Sequence, residues 1–449
     1  MIDLVIRNGL LVTPCGVIRA DLGINDAMIA VIGTKLCGRN GIDASGKLVF
    51  PGVIDAHTHM AAENYGIASS DDFLSGTRAA ACGGVTTIID FTVGAEETTI
   101  PEEIEARRQE AATSVIDYAL HAEVIGWKPG HEEEFERARE AGVSSFKFYM
   151  AYGSSGQRSD TGVLYHAFRK IEEIGGVAMV HAEDDPIIES LVAKLSPVQR
   201  ATMSTYPGTR PAVCEGAAIE QAIYLAEQTG ARLHVVHVSS ALGLKVIRKA
   251  RSHGVSVTGE TCPQYLLLTE DVYEQADGHR FSVMPPLRTQ ADQDVLWSAL
   301  RDGTLDLAAT DHCPFTREQK TWKGSFLDLP YGLPGVETLL SLLYSEGVVK
   351  GCLLLPDLPR LLSEMPARVN GMYPKKGTLS IGSDADVVIF DPDVEWTIHA
   401  KDLHMNTDFS PYEGIAVHGA VKTTISRGRI VYTDGEFEGE KGGGEFIAA

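Results

Sequence analysis

Two histidines separated by one residue follow a strongly apolar segment in the first part of the chain. Residues 48–54 are Leu-Val-Phe-Pro-Gly-Val-Ile, and His57 and His59 come shortly after them. Side chains at positions i and i+2 of a strand point to the same face, so both imidazoles can reach one metal ion. Barrels and open α/β sheets place their chemistry at the C-terminal ends of such strands. We therefore interpret the pair as half of a metal site rather than as two ordinary polar loop residues.

Other residues with metal-binding side chains occur in or at the ends of later predicted strands. Lys147 lies in the apolar stretch 143–150, and three more strands end at His181, His237 and Asp311. Imidazole and carboxylate groups suit zinc or a similar borderline metal ion. A single histidine at a strand end is often only a buried core residue, but coincidence does not explain the whole set. His234 is left as structural, and His312 and Cys313 either support the ligands or only pack.

Lys147 is the unusual member of this set, because a protonated amine would repel a dication. Within an apolar strand the amine loses solvation, so its pKa should fall. A neutral amine can take up CO2 and become a carbamate (N6-carboxylysine), whose two oxygens could bridge two metals about 3.5–4 Å apart. Two metals would polarise a carbonyl and supply hydroxide at neutral pH, while Asp311 could bind one metal and move the proton to the leaving nitrogen. A Schiff-base lysine is the alternative, but that chemistry would not need the histidines.

The elements that must position these residues alternate between strand and helix. From residue 50 onward, apolar β-rich runs and helical segments repeat, which predicts a (β/α)8 TIM barrel, an α/β fold, over residues 50–374. Short strands separated by turn residues occupy 1–49 and return at 375–435, so the two segments should form a small β-sandwich domain. Residues 436–449 contain three consecutive glycines and are expected to be a flexible C-terminal tail.

Composition limits the possible partners and compartment. The 449 residues include 61 acidic and 39 basic side chains, for a net charge of -22, which disfavours nucleic acid and anionic membrane. The seven cysteines form no C-x-x-C pair, so a reducing cytoplasmic location is expected. The first residues do not resemble a signal peptide, and no apolar run is long enough to span a bilayer. A small-molecule substrate is therefore favoured.

Several motifs resemble those of one enzyme family. They are Gly-Val-Ile-Asp-Ala-His-Thr-His at 52–59, Ser-Phe-Lys at 145–147 with Ala-Tyr at 151–152, Glu-Thr-Cys-Pro-Gln-Tyr-Leu at 260–266, Pro-Pro-Leu-Arg at 285–288 and Ala-Thr-Asp-His-Cys at 309–313. Together they resemble the hydantoinase/dihydropyrimidinase family of cyclic amidohydrolases over nearly the whole chain. The stretches 78–84 and 332–337 are most similar to bacterial phenylhydantoinases.

The resemblance implies a role for each candidate residue. His57, His59 and Asp311 would bind one divalent metal, His181 and His237 the second, and carbamylated Lys147 would bridge them. Zinc is the expected metal, with manganese, cobalt or nickel as alternatives. Tyr152 matches the family tyrosine that donates its hydroxyl to the oxyanion, with an aromatic plug at the barrel mouth as the other interpretation. The family also commonly forms homodimers or homotetramers.

Three positions depart from the family pattern where it meets the substrate. Met284 replaces a common serine before Pro-Pro, Tyr331 replaces a common asparagine before glycine, and the loop 61–67 lacks the usual hydrophobic residues. In relatives the first two positions hold the ring mainly through backbone groups, so both are expected to bind substrate here.

The resulting hypothesis is hydrolysis of a 5-substituted hydantoin or dihydropyrimidine to an N-carbamoyl amino acid by a bridging hydroxide. Asp311 and Tyr152 would be the catalytic residues. An allantoinase or dihydroorotase activity is the alternative, although the loop after His59 contains no arginine to meet a substrate carboxylate. A mononuclear deaminase would not need Lys147, and a non-catalytic scaffold would not need to retain every ligand.

Overall fold

The small domain is a β-sandwich built from both ends of the chain. The computed structural model describes residues 1–64, 66–95 and 97–448, without the side chain of Asn64. The apolar side chains of the two sheets meet in one core that includes Ile6, Leu11, Val49 and Ile389. In spatial order, the four-stranded sheet comprises Met28–Gly33, Asp21–Asn25, Ile2–Arg7 and Gly38–Asp43. The seven-stranded sheet comprises Glu436–Phe437, Arg429–Thr433, Ala416–Ser426, Val387–Thr397, Leu48–Pro51, Leu10–Thr13 and Gly16–Arg19.

The rest of the chain is a barrel of eight parallel strands, as predicted. Along the sheet they are Val53–Thr58, Val85–Phe91, Asp117–Glu123, Ser145–Tyr149, Val177–His181, Arg232–Val235, Val257–Thr261 and Leu307–Ala308. The first and eighth segments meet through two backbone hydrogen bonds, from His59 N to His312 O at 2.8 Å and from His312 N to His57 O at 3.4 Å. These bonds bring both ends of the sheet together beside the predicted metal ligands.

Helices cover the outside of the barrel and connect its strands. Their starts are fixed by local capping: Asp72 and Thr99, for example, each accept a hydrogen bond from the backbone N–H three residues later. The α-helices are Phe73–Cys82, Ile100–Ala111, His131–Glu140, Thr161–Glu173, Asp185–Ala193, Pro197–Arg200, Ala212–Thr229, Ala241–Ser252, Pro263–Leu267, Gln290–Asp302, Leu339–Leu342, Asp357–Pro359 and Met365–Val369. Two π-helical segments, Leu343–Val349 and Arg360–Glu364, continue this last part of the barrel. No helix in the described part of the chain is long and apolar enough to cross a membrane.

The segment predicted to be a flexible tail is packed against the barrel instead. Ile447 N donates to Tyr118 O at 2.7 Å, and Tyr118 N donates to Glu445 O at 3.0 Å. Ile447 is 2% exposed, and Arg427 donates to the carbonyl of Gly443. Burial of an apolar side chain together with satisfied backbone groups favours this ordered arrangement. The prediction is therefore corrected for residues 436–448, while Ala449 lies outside the described residues.

Candidate metal centre

The first candidate metal group lies at the end of the first barrel strand. His57 Nε2 and His59 Nε2 are 3.2 Å apart, and they lie 3.1 and 3.2 Å from Asp311 Oδ1. Burial alone would lower the pKa of His57, but the charges of Asp311 and Glu260 raise it to about 9. Burial would raise the pKa of Asp311, but the adjacent His57 holds it well below its usual range. The three groups therefore converge as a carboxylate and two imidazoles around one point.

The second group consists of two histidines on neighbouring strands. His181 Nδ1 faces His237 Nε2 at 3.0 Å, and the His57 and His237 rings are 5.5 Å apart between centroids. Burial lowers the pKa of His181 and lowers that of His237 well below the usual value, which favours the neutral form of each ring. A neutral imidazole has one nitrogen lone pair available to a metal.

Lys147 lines the same cavity as these groups, in an environment that disfavours its charge. It is 1% exposed, and its Nζ is 4.9 Å from the Phe91 ring centroid. Burial lowers the pKa of Lys147 to about 8, against the opposing effect of Asp311 and Glu260. The neutral amine, which is the form that can react with CO2, is therefore much more populated near neutral pH than it is for an exposed lysine.

Two buried carboxylates, Glu260 and Glu183, contact the ring nitrogens that do not face the other candidate ligands. Glu260 Oε1 lies 2.5 Å from His57 Nδ1, and its Oε2 lies 3.2 Å from His234 Nε2. Glu183 Oε2 lies 2.8 Å from His181 Nε2 and also binds Arg210. Glu260 thus accepts from His57 Nδ1 and Glu183 from His181 Nε2, which fixes the orientation of each ring. The other nitrogen of each ring, once deprotonated, can offer its lone pair to a metal ion at the candidate position. His234 contacts the second oxygen of Glu260 and so helps to fix the position of that carboxylate.

Sequence reasoning did not assign these carboxylates. Glu260 begins the family-like motif at 260–266, and Glu183 lies two residues after His181. These positions are the only sequence signal for either residue. The structure also places His312 outside the ligand group, because its Nε2 lies 3.1 Å from Asp71 and its Nδ1 accepts from the N–H of Gly335 at 3.1 Å.

Two strands end earlier than predicted, just before the candidate ligands His237 and Asp311. The sixth strand ends at Val235 and the eighth at Ala308, short of His237 and Asp311. These two residues have φ of 39° and 53°, and Tyr152 has 69°. A left-handed backbone is costly for residues other than glycine and cannot continue a strand. The chain therefore leaves the sheet at these points and directs the three side chains into the barrel mouth.

All the predicted site residues line one cavity of about 330 Å³. The Tyr152 hydroxyl lies 3.5 Å from His181 Nδ1, at the edge of the second metal group. Met284 and Tyr331 also line the cavity, and the Tyr331 hydroxyl donates to Phe326 O at 2.7 Å. Glu63 from the loop 61–67 also lines the cavity, whereas Tyr65 of that loop lies outside the described residues.

The donor set fits divalent metal ions. Two imidazole nitrogens and one carboxylate oxygen lie close together, and a second imidazole pair faces the same cavity. His237 Nδ1 is buried without a hydrogen-bond partner among the described residues. Such a mixture of neutral nitrogen and anionic oxygen donors is typical of zinc and related ions.

Comparisons with known proteins agree with this geometry. The amidohydrolase family matches residues 48–431. A D-phenylhydantoinase of Escherichia coli O1:K1 is 42% identical over 98% of this chain and 97% of its own length. The solved dihydropyrimidinase of Brevibacillus agri has a TM-score of 0.97 at 37% identity, covering 100% of this chain and 98% of its own. A Bacillus D-hydantoinase structure has a TM-score of 0.97 at 39% identity and covers 99% of each chain.

Family match, whole-length identity and fold therefore coincide. The chain belongs to the amidohydrolase family, within the hydantoinase/dihydropyrimidinase group of cyclic amidohydrolases, which act on C–N bonds of cyclic amides.

Proposed function

We propose that this protein opens a 5-substituted hydantoin or a dihydropyrimidine to the corresponding N-carbamoyl amino acid. The observation that carries the proposal is the convergence of six candidate ligands on one cavity beside a tyrosine hydroxyl; the ligands are His57, His59, Lys147, His181, His237 and Asp311. Relatives with 42% and 39% identity are named D-phenylhydantoinase and D-hydantoinase, which supports a D-5-substituted hydantoin as the first substrate to test.

His57, His59 and Asp311 would hold one divalent metal, and His181 with His237 would hold the other. Lys147, carbamylated by CO2, would contribute an oxygen to each. When bound, the pair of metals would polarise the ring carbonyl and supply hydroxide at neutral pH. Zinc is the first candidate, and manganese, cobalt and nickel are alternatives.

The chain's own groups would manage charge and protons around the ring. The Tyr152 hydroxyl would donate a hydrogen bond to the oxyanion that forms when the carbonyl is attacked. Asp311 would accept the proton of the attacking water and pass it to the ring nitrogen as the C–N bond breaks. Water is thereby added across one C–N bond, and no oxidant or further reactant is required.

Met284 has the backbone groups needed to bind the ring. Neither its N–H nor its C=O has a hydrogen-bond partner among the described residues, and the residue lines the cavity. A cyclic imide carries matching N–H and C=O groups, so Met284 can bind it without a polar side chain. Tyr331 would contact the ring from the neighbouring loop.

The cavity charge argues against an anionic substrate. Glu63 and Glu123 line it, and no arginine lies among the described lining residues. Dihydroorotate carries a carboxylate that such a wall would repel. A dihydroorotase activity is therefore the less favoured alternative.

A substrate panel tests the proposal. Metal-loaded enzyme should open D-5-phenylhydantoin or dihydrouracil faster than L-5-phenylhydantoin, allantoin or dihydroorotate, and Asp311→Asn should abolish the reaction. Faster turnover of allantoin or dihydroorotate would overturn the substrate assignment. Metal analysis should give about two ions per chain, whereas one ion would favour a mononuclear enzyme. Assembly as a homodimer or homotetramer and a cytoplasmic location remain predictions for light scattering and cell fractionation.

A further inference from the structure

We propose that Lys320 is a positioning residue that locks together the two cavity loops 282–285 and 330–332. The proposed function supplies the identity of the ring that these loops would receive, but the lock itself is a property of the chain. Lys320 does not line the cavity and has no part in the chemistry described above.

Lys320 is buried among oxygen acceptors rather than beside a carboxylate. It is 1% exposed, and its Nζ donates to Arg280 O at 3.0 Å, Ser282 O at 2.9 Å and Ser282 Oγ at 3.0 Å. A lysine ammonium has three N–H donors, and these acceptors match their number. Burial lowers the pKa of Lys320 to about 7. Such a costly arrangement points to a requirement for a donor at this position.

Ser282 connects the lysine to the second loop by two routes. Its hydroxyl accepts from Lys320 and donates to Pro330 O at 3.0 Å, while its carbonyl also accepts from Gly332 N at 3.0 Å. Gly332 has φ of 151°, and a Cβ there would lie 2.5 Å from Cys313 O. The second loop therefore fits closely against its neighbours, and the hydrogen bonds to Ser282 fix its distance from the first loop.

The first loop is held at the residues on both sides of the proposed ring-binding position. Val283 O accepts from the Tyr206 hydroxyl at 2.7 Å, and Pro285 O accepts from the Tyr265 hydroxyl at 2.9 Å. Together with the bonds to Ser282, these contacts fix every carbonyl of 282–285 except that of Met284. Locking the surrounding residues would orient the one backbone unit whose hydrogen-bonding groups remain available for the ring.

Lys320→Met tests the lock, because methionine fills similar space without donors. Exposed Lys323 lies three residues away, so Lys323→Met is the matched control. In metal-loaded enzyme, Lys320→Met should raise KM for the ring substrate about tenfold or more, with a much smaller change in kcat, because an interaction common to ground and transition states is lost. Lys323→Met should leave both constants unchanged, and all proteins should retain wild-type metal content.

Amide hydrogen exchange gives a readout that does not depend on turnover. Exchange should accelerate in 282–285 and 330–332 of Lys320→Met, including at Gly332, while the barrel strands stay protected. Ser282→Ala removes only the hydroxyl that accepts from Lys320 and donates to Pro330 O. It should raise both the exchange rate and KM, as Lys320→Met does, and it provides the test if Lys320→Met does not fold. Unchanged exchange in both loops would overturn the lock, and faster exchange with unchanged KM would overturn its role in substrate binding. If the wild-type enzyme were inactive on every cyclic amide of the substrate panel, the proposed function would be contradicted. The amide exchange rates would still show whether Lys320 holds the two loops together.

Discussion

Glu260→Gln isolates the contribution of a carboxylate that contacts the predicted metal ligands. Glu260 Oε1 is 2.5 Å from His57 Nδ1 and accepts from His237 N at 3.3 Å, while Oε2 is 3.2 Å from His234. Glutamine keeps one acceptor oxygen, but it replaces the other with a donor and removes the negative charge. His57 would then lose basicity or its fixed tautomer. The metal affinity of the first candidate group, which consists of His57, His59 and Asp311, should therefore fall.

The expected size follows from comparable contacts behind metal ligands. Loss of such a partner typically weakens metal binding 10–100-fold, or about 1.4–2.8 kcal/mol. The short contact to His57 and the additional contact to His237 N favour the upper half of this range. Burial would raise the pKa of Glu260, but His57 and His234 hold it well below its usual range, so the carboxylate is ionised at every practical assay pH.

Competition with a chelator measures this affinity directly at a fixed pH. Glu215→Gln is the matched control, because Glu215 is also a buried carboxylate but accepts from Ser239 and Ser240 instead of a predicted ligand. Thermal unfolding of both metal-free variants separates metal affinity from stability. Wild-type metal affinity in a folded Glu260→Gln protein would refute the reasoning, as would an equal loss in Glu215→Gln.

Three further predictions concern the centre itself. Lys147→Ala should lose the bridge and most activity, and short carboxylic acids should restore part of it; unchanged activity would exclude a carbamate. Tyr152→Phe should lower kcat by about 10²–10³-fold at unchanged metal content, as for loss of one oxyanion donor, and kinetics with parallel metal analysis would check this. The pKa of His57 is about 9 in the folded protein without metal and about 6.5 in the unfolded chain. Protonated His57 should therefore stabilise the folded protein fully below about pH 6.5, and this contribution should be lost as pH rises through about 9. Metal must displace that proton, so affinity should increase with pH over the same window; pH-independent titrations would contradict the shift.

The sequence by itself determined the architecture and the chemical types of the candidate ligands. Alternating strand and helix patterns predicted the barrel, because side-chain periodicity is local and survives in any tertiary setting. The H-x-H pair could be interpreted for the same reason, since a strand places His57 and His59 on one face regardless of what surrounds it. Lys147 could be singled out because an apolar strand already implies burial of its amine.

Only the tertiary structure decided which groups support those ligands. Glu260 contacts His57 across 203 residues of sequence, and Lys320 reaches Ser282 across 38, so no local pattern could pair them. Glycines at 442–444 suggested a free tail, whereas burial of Ile447 against the barrel ordered it. Such contacts depend on how distant segments pack. That packing directs the imidazole lone pairs and leaves the backbone of Met284 available in the cavity.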